Sequence, residues 1–253
     1  MKDNRRKQIL AMLMKDGEVQ TRKLQQIFNV SDMTIRRDLE HLENEGIVAR
    51  THGGAIYIKQ DNNGAVPTED LDEIELAKHK ICEKALSFIK KEQRIFIDSG
   101  TTTGLLINKL PKDNDNIVVT NNIRIVSEIT KRGDINAMII GGSLRIDMMS
   151  CYGPVAEEQI RRYRVDVAFL GAAAVGKDGY FYDSYTPEAG VKQSIIQSAH
   201  ETYVMVDSTK FNKYNLISYS NVMEVTGVIT DKGIDPEVYE KFLRMGANII
   251  IAD

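Results

Sequence analysis

Five consecutive residues, Asp98-Ser99-Gly100-Thr101-Thr102, set a carboxylate, a glycine and three hydroxyls directly after the apolar run Ile95 to Ile97 and before the helical pattern of Leu105, Leu106 and Leu110. Glycine lets a backbone come close to a ligand. Hydroxyls and the amides that open a helix can together surround an anion such as phosphate, favoured by the helix dipole. An ordinary capped strand-to-helix turn would use the same residues, so the fragment alone leaves both readings open. Other apolar runs end in similar chemistry: Thr120-Asn121-Asn122, Gly141-Gly142-Ser143 with Arg145 close behind, Gly171, and Asp207-Ser208-Thr209-Lys210. Glu188 and Lys192 stand at i, i+4, which in isolation reads as a surface ion pair worth ~0.3–0.5 kcal/mol.

Positioning these groups requires a regular scaffold, and the pattern supplies one. From about residue 74 onward, short apolar runs (RIFID, NIVVT, NAMIIG, VDVAFLG, TYVMVD, GVIT, NIIIA) alternate with amphipathic segments (residues 74–90, TGLLINKL, IRIVSEITKR, VAEEQIRRY, PEAGVKQSIIQSAH, PEVYEKFLRMG). Continuous apolar strands alternating with helices predict an α/β domain over 74–253 with a mostly parallel sheet covered on both faces. Ligands of such sheets lie beyond the carboxyl ends of the strands. That rule groups Asp98, Ser99, Gly100, Thr101, Thr102, Asn121, Gly141, Gly142, Asp207 and Lys210 as candidate ligand-binding residues, with Arg145 a weaker one.

Residues 1–58 read differently. Ile9, Leu10 and Leu13 mark one helix, stopped at Asp16-Gly17. Thr21 can cap a second helix carrying Leu24, Ile27 and Phe28. Ser31 can cap a third, with Ile35, Leu39 and Leu42 facing inward and Thr34, Arg37, Asp38 and His41 on another face. Two short extended pieces around Gly53-Gly54 form a hairpin. Three short helices and a hairpin make a winged helix-turn-helix, whose third helix fits a major groove of double-stranded DNA. Arg36 and Arg37 can donate to guanine edges or phosphates, Ser31 and Thr34 can hold phosphates, and Arg50 and His52 border the wing turn. The competing reading pairs Arg36 and Arg37 with Asp32, Glu40 or Asp38 as a solvated face; the agreement of three capped helices, turn length and wing favours DNA. A polar stretch over 59–73, containing Asn-Asn-Gly and Val-Pro, reads as a linker.

Composition narrows the classes further. The 253 residues are 42% hydrophobic and 27% charged, with a net charge of -3. Residues 1–57 hold ten basic and eight acidic side chains, too small an excess to argue nucleic acid by itself. No apolar run approaches the ~20 residues of a membrane helix. The basic start lacks an apolar segment behind it, so no signal peptide is expected. Two distant cysteines and four scattered histidines show no metal-ligand spacing, and no cofactor motif is present. A cytoplasmic protein is expected.

The segment "VSDMTIRRDLEHLENEGIVARTHGGA", Val30 to Ala55, resembles the signature of the DeoR family of bacterial transcription regulators. D-x-GTT, TNN, GG, E-A-x-x-K and D-S-x-K-F follow in the order of that family's sensor domain, so the resemblance covers nearly the whole chain. It implies operator binding through the third helix, and a sensor domain similar in fold to ribose-5-phosphate isomerase that binds a phosphorylated sugar or related metabolite. Carried onto this sequence, Asp98 to Thr102 is the phosphate loop, Lys210 a cationic contact, and Asp207, Glu188 and Lys192 line the remaining cleft. The usual sign is repression relieved by ligand. A homodimer or homotetramer is expected, because one weakly basic head neutralises few phosphates. The alternative is a sugar-phosphate isomerase-like enzyme with an accessory helical domain. The isomerases carry an acidic cluster after a central strand, whereas the corresponding stretch here, Gly171 to Val175, has no acid, leaving Glu188 as the candidate base.

Overall fold

A computed structural model of the chain describes residues 2–44, 48–51, 53–57, 73–112 and 114–253. It forms two compact units, Met1–Ala65 and Val66–Asp253. His52 and the expected linker up to residue 72 lie outside the described residues.

The first unit runs α1 (Lys2–Asp16), β1 (Glu18–Gln20), α2 (Thr21–Phe28), α3 (Asp32–Asn44), β2 (Val48–Thr51) and β3 (Gly54–Tyr57). Ile9, Leu13, Leu24, Ile35, Leu39 and Leu42 are buried together with Val19 and Ala55. Leu10 is only partly covered, and Ile27 is half exposed. Thr21 does not cap α2. It is the first helical residue, buried, with Gln20 at the cap position and the Thr21 amide donating to Gly53 O at 2.8 Å. The reason is β1, a strand too short to show a period in sequence. It pairs antiparallel with β3, which pairs in turn with β2. Gly54 sits where β3 meets β1: a Cβ there would lie 1.8 Å from Val19 O.

The second unit continues with α4 (Glu73–Leu86), β4 (Arg94–Ile97), α5 (Thr101–Gly104), α6 (Leu106–Lys109), β5 (Ile117–Thr120), α7 (Ile123–Arg132), β6 (Asn136–Ile139), β7 (Ser143–Arg145), β8 (Ser150–Tyr152), α8 (Pro154–Arg162) and β9 (Val165–Leu170). Then come β10 (Ala174–Val175), β11 (Tyr180–Asp183), α9 (Thr186–Ser198), β12 (Ala199–Met205), a 3-10 turn at Ser208–Lys210, β13 (Ile217–Asn221), β14 (Gly227–Asp231), α10 (Pro236–Arg244) and β15 (Ile249–Ala252). The seven apolar runs all fall in one parallel sheet of order β15-β14-β12-β9-β4-β5-β6.

Alternate residues of these strands enter opposite layers. Ile95, Ile97, Val167, Phe169, Tyr203, Met205 and Ile229 pack with Ile81, Leu106 and Ile125 on one face. Phe96, Val119, Ala168, Leu170, Val204 and Val228 pack with Ile160, Ile195 and Phe242 on the other. Two smaller antiparallel sheets, β7-β8 and β10-β11-β13, complete the unit. The single helix expected over TGLLINKL is two short ones meeting at Leu105.

Candidate functional site

The sheet order fixes where a ligand-binding crevice can form. From β4 the chain adds β5 and β6 on one side, then crosses over to add β9, β12, β14 and β15 on the other. The switch point therefore lies between β4 and β9, and crevices open at the carboxyl ends there. The Asp98 to Thr102 turn leaves β4 at that point. Gly171 leaves β9 beside it, its amide donating to Asp98 Oδ2 at 3.1 Å. A Cβ built on either Gly100 or Gly171 would sit 3.7 Å from the other's Cα, so the two strand ends touch through bare backbone.

Beneath the turn lies a buried ionic cluster. Lys192 Nζ donates to Asp183 Oδ2 at 2.6 Å and to Gly171 O at 2.8 Å, and lies 3.4 Å from Asp98 Oδ2. Burial alone would lower the lysine's pKa, but the Asp98 and Asp183 charges outweigh it and hold the ammonium well above its ordinary value. Tyr219 donates its hydroxyl to Gly171 O at 2.9 Å, and burial pushes its phenol up. The i, i+4 reading of Glu188 with Lys192 is thereby corrected: Lys192 turns to the aspartates. Glu188 instead accepts from Ser150 Oγ at 2.8 Å and from Arg145 Nη1 at 3.1 Å. Burial raises the Glu188 carboxyl. Arg145 also forks onto Asp147 and lies 4.7 Å over the Tyr185 ring.

Several expected ligand contacts are thus already engaged by the protein. Asp98 and Lys192 hold each other under the turn. Asp207 caps its own turn, accepting from the Thr209 amide at 3.0 Å and from the Thr209 hydroxyl. The Gly141 amide donates to Gln159 Oε1 at 2.9 Å, and a Cβ on Gly142 would meet Tyr152 O at 2.6 Å, so these two glycines shape a turn against α8 and β8. Of the other candidates, Ser99 is half-buried and donates its hydroxyl to Asp98 Oδ1 at 3.3 Å, Gly100 is half-buried, Thr101 is exposed, Thr102 is buried and Lys210 is half-buried. Asn121, at the end of β5, is 1% exposed. Its Nδ2 donates to Cys151 O at 2.9 Å, which leaves Oδ1 without a hydrogen-bond partner among the described residues. Asp183 and Tyr219 carry no motif, and sequence reading missed both. A separate open cleft of about 600 Å³, lined by Lys177, Asn212, Lys241 and Arg244 among others, contains none of the expected residues; Glu237 and Glu240 line it as well.

On α3, Asp38 is not on the exposed face. It is buried and clamped by Arg5 at 2.6 Å and Arg6 at 3.1 Å from α1, so it is not a partner for Arg37. Arg36 is exposed and pairs with Asp32 at 2.5 Å, while Asp32 also accepts from Gln25 at 2.7 Å. Arg37 is exposed with no ion pair among the described residues. The Ser31 and Thr34 hydroxyls bond each other at 2.9 Å, and Ser31 O receives the Thr34 and Ile35 amides. Arg50 is placed in β2 opposite Ala55.

Two family models match the chain: a DeoR-like helix-turn-helix domain over residues 5–61 and a DeoR C terminal sensor domain over residues 74–232. The chain belongs to the DeoR family. Its DeoR-family relatives include a protein of Escherichia coli O157:H7 named as a transcriptional repressor of the aga operon, 30% identical over 98% of this chain and 93% of that one. The glycerol-3-phosphate regulon repressor of Escherichia coli K12 is 28% identical over 88% of each chain. The L-fucose operon activator of Haemophilus influenzae is 26% identical over 92% of this chain and 93% of that one. Among solved structures, ribose 5-phosphate isomerase A of Methanocaldococcus jannaschii is 18% identical over 53% of each chain with a TM-score of 0.37, too distant to bear on fold or activity. The protein is therefore a DNA-binding transcription regulator with a sensor domain. Among the described residues, no helix is long and apolar enough to cross a membrane, and no group of three or more His, Cys, Asp or Glu is placed to hold a metal.

Proposed function

We propose that this DeoR-family regulator represses a sugar-metabolism operon and releases it when a phosphorylated sugar binds at the switch point between β4 and β9. The observation that carries the reading is the placement of the Ser99 to Thr102 hydroxyls and backbone at that point, over the Lys192 cluster. The phosphate takes Ser99, Thr101 and Thr102, with Lys210, which unlike Lys192 and Arg145 makes no ion pair among the described residues, as its cation; a compact ammonium suits a phosphate oxygen. The buried acceptor Asn121 Oδ1 wants a donor, and a sugar hydroxyl supplies one. The protein works as a homo-oligomer, since two linked heads raise effective concentration at paired half-sites, and it resides in the cytoplasm with its operator.

Binding of a phosphorylated sugar at about a hundred times Kd stabilises the folded chain by ~2.7 kcal/mol, a rise of roughly 5–10 °C in Tm for a unit of this size. A thermal-shift panel of phosphorylated sugars on the purified protein reads this directly. Lys210→Ala is expected to remove most of the rise. A panel in which every compound leaves Tm unchanged would end the proposal. In the DNA-binding unit, Arg37→Ala is expected to cost ~1–3 kcal/mol for each head engaged, seen as loss of specific gel shifts. Arg36→Ala costs less, because Asp32 must first release that side chain. The ligand-induced rise in Tm stays intact in both.

The isomerase alternative has one feature in its favour: Asp98, Asp183 and Glu188 lie in neighbouring elements. Each is engaged by a cation or a donor of the protein, which leaves no free base. Turnover of a pure sugar phosphate at ordinary enzyme rates, by a chain that binds no duplex specifically, would favour the enzyme.

A further inference from the structure

Ser31, Thr34, Arg36 and Arg37 are all polar, but the side chain at the middle of the exposed face of α3 is not. At 3.6 residues per turn, the buried Ile35, Leu39 and Leu42 define one side of the helix, with buried Asp38 beside them. Met33 stands diametrically opposite, 63% exposed. Arg36 and Arg37, at i+3 and i+4, flank it on the same stripe. Thr34, which sequence reading placed on the DNA face, is half-buried with its hydroxyl bonded to Ser31. Met33 is also the second residue of α3, within the turn that meets base edges when such a helix enters a major groove.

A single exposed apolar residue is ordinary on a protein surface. This one lies between two arginines at the start of the helix that defines the family's DNA-binding unit, and the groove decides what it can touch. Among the four base pairs, only thymine presents an apolar group in the major groove, its C5-methyl. Methionine's unbranched, polarizable chain can adapt to a methyl whose position it does not fix. Arg36 and Arg37 hold the helix on guanine edges or phosphates at either side. We infer that Met33 is a specificity-determining residue that reads a thymine methyl in each half-site of the operator, at the base step between those contacted by the two arginines. The inference rests on α3 entering the major groove.

The test uses the full chain and duplexes enriched by it from a random pool. Each thymine of the enriched site is replaced in turn by deoxyuridine, which removes only the methyl. At one thymine per half-site the wild type is expected to bind about fourfold more weakly, the worth of one buried carbon group. Met33→Ala should bind both duplexes equally, and Met33→Leu should keep the preference. Because Met33 is exposed, these variants should melt as the wild type does. Equal binding of the wild type to every thymine and deoxyuridine duplex overturns the inference, as does an unchanged methyl preference in Met33→Ala. Arg37→Ala separates the two levels. If it loses the enriched duplexes while deoxyuridine is silent, only the Met33 assignment falls. If it binds them as the wild type does, α3 does not enter the groove and both fall together.

Discussion

Lys192→Met is expected to destabilise the sensor domain by about 3–5 kcal/mol, the cost of removing one partner from a buried ionic cluster. Lys192 and both aspartates are buried, and the ammonium is the one cation within 4 Å of either aspartate among the described residues. Methionine fills the same volume but leaves two carboxylates facing each other out of reach of water. The Gly171 carbonyl loses one of its two side-chain donors, Tyr219 being the other. Thermal unfolding should show a fall of roughly 10 °C, since 1 kcal/mol moves Tm by ~2–4 °C in a domain of this size. The double variant Lys192→Met with Asp183→Asn should recover part of the loss, because one unpaired charge is gone. Ligand-induced stabilisation should fall as well: Asp98 is anchored to Lys192 and to the Gly171 amide, and the Ser99 to Thr102 turn begins from it. A variant that melts with the wild type and still responds to a phosphorylated sugar would remove Lys192 from the role of organiser.

Gly54→Ala is the second large effect, and it belongs to the other unit. The added Cβ would lie 1.8 Å from the Val19 carbonyl oxygen and 2.9 Å from its carbon. Both are backbone atoms, so no side chain can rotate away, and β1 must separate from β3. We expect about 2–3 kcal/mol of local destabilisation, the upper part of the usual range for a point substitution that overpacks. Hydrogen exchange should accelerate at the amides of residues 18–20 and 54–57, specific DNA binding should drop at least tenfold, and ligand-induced stabilisation of the sensor domain should persist. Gly53→Ala provides the comparison one residue away, where a Cβ meets nothing within 4 Å; it should be near neutral. Equal behaviour of the two variants would show that close approach at Gly54 does not hold the wing.

Both predictions concern features that the sequence displays only in part. The doubled glycine of the wing is visible as a turn, but the demand on its second member comes from a three-residue strand preceding α2. Glu18-Val19-Gln20 has no period to read, and its partner β3 lies beyond α2 and α3, with Gln20 opposite Gly54. The same limit applies to β7, β8, β10, β11 and β13. They are two to five residues long, partly polar, and paired into small antiparallel sheets, so neither alternation nor a continuous apolar run marks them. The seven strands of the large sheet are different. Inner strands buried on both faces must be apolar throughout, and each apolar run in the sequence became one strand of this sheet; only the edge strand β6 departs from the expected cover, with Asn136 to Ile139 all exposed. Ile27 illustrates the reverse error: it fits the helical spacing with Leu24 and Phe28, but α2 offers the core a narrower stripe and leaves it half exposed.

The sequence by itself determined the family, the alternation of strand and helix, the positions of the polar turns that follow each strand, and the core of the DNA-binding unit. These are local properties, set by residue type and by spacings of a few positions. Only the tertiary structure decided which polar groups are spent on holding the protein together. Asp98 reaches Gly171 across 73 positions, Arg5 reaches Asp38 across 33, and Glu188 reaches Ser150 across 38. A carboxylate or ammonium that looks available in sequence pairs with whatever opposite charge folding brings within about 3 Å, because an unpaired charge in the interior costs several kcal/mol. That choice, invisible at short range, leaves Thr101, Lys210 and the Asn121 carbonyl without a side-chain partner among the described residues, and Met33 and Arg37 exposed on α3, which is why the proposed ligand and duplex contacts draw on them.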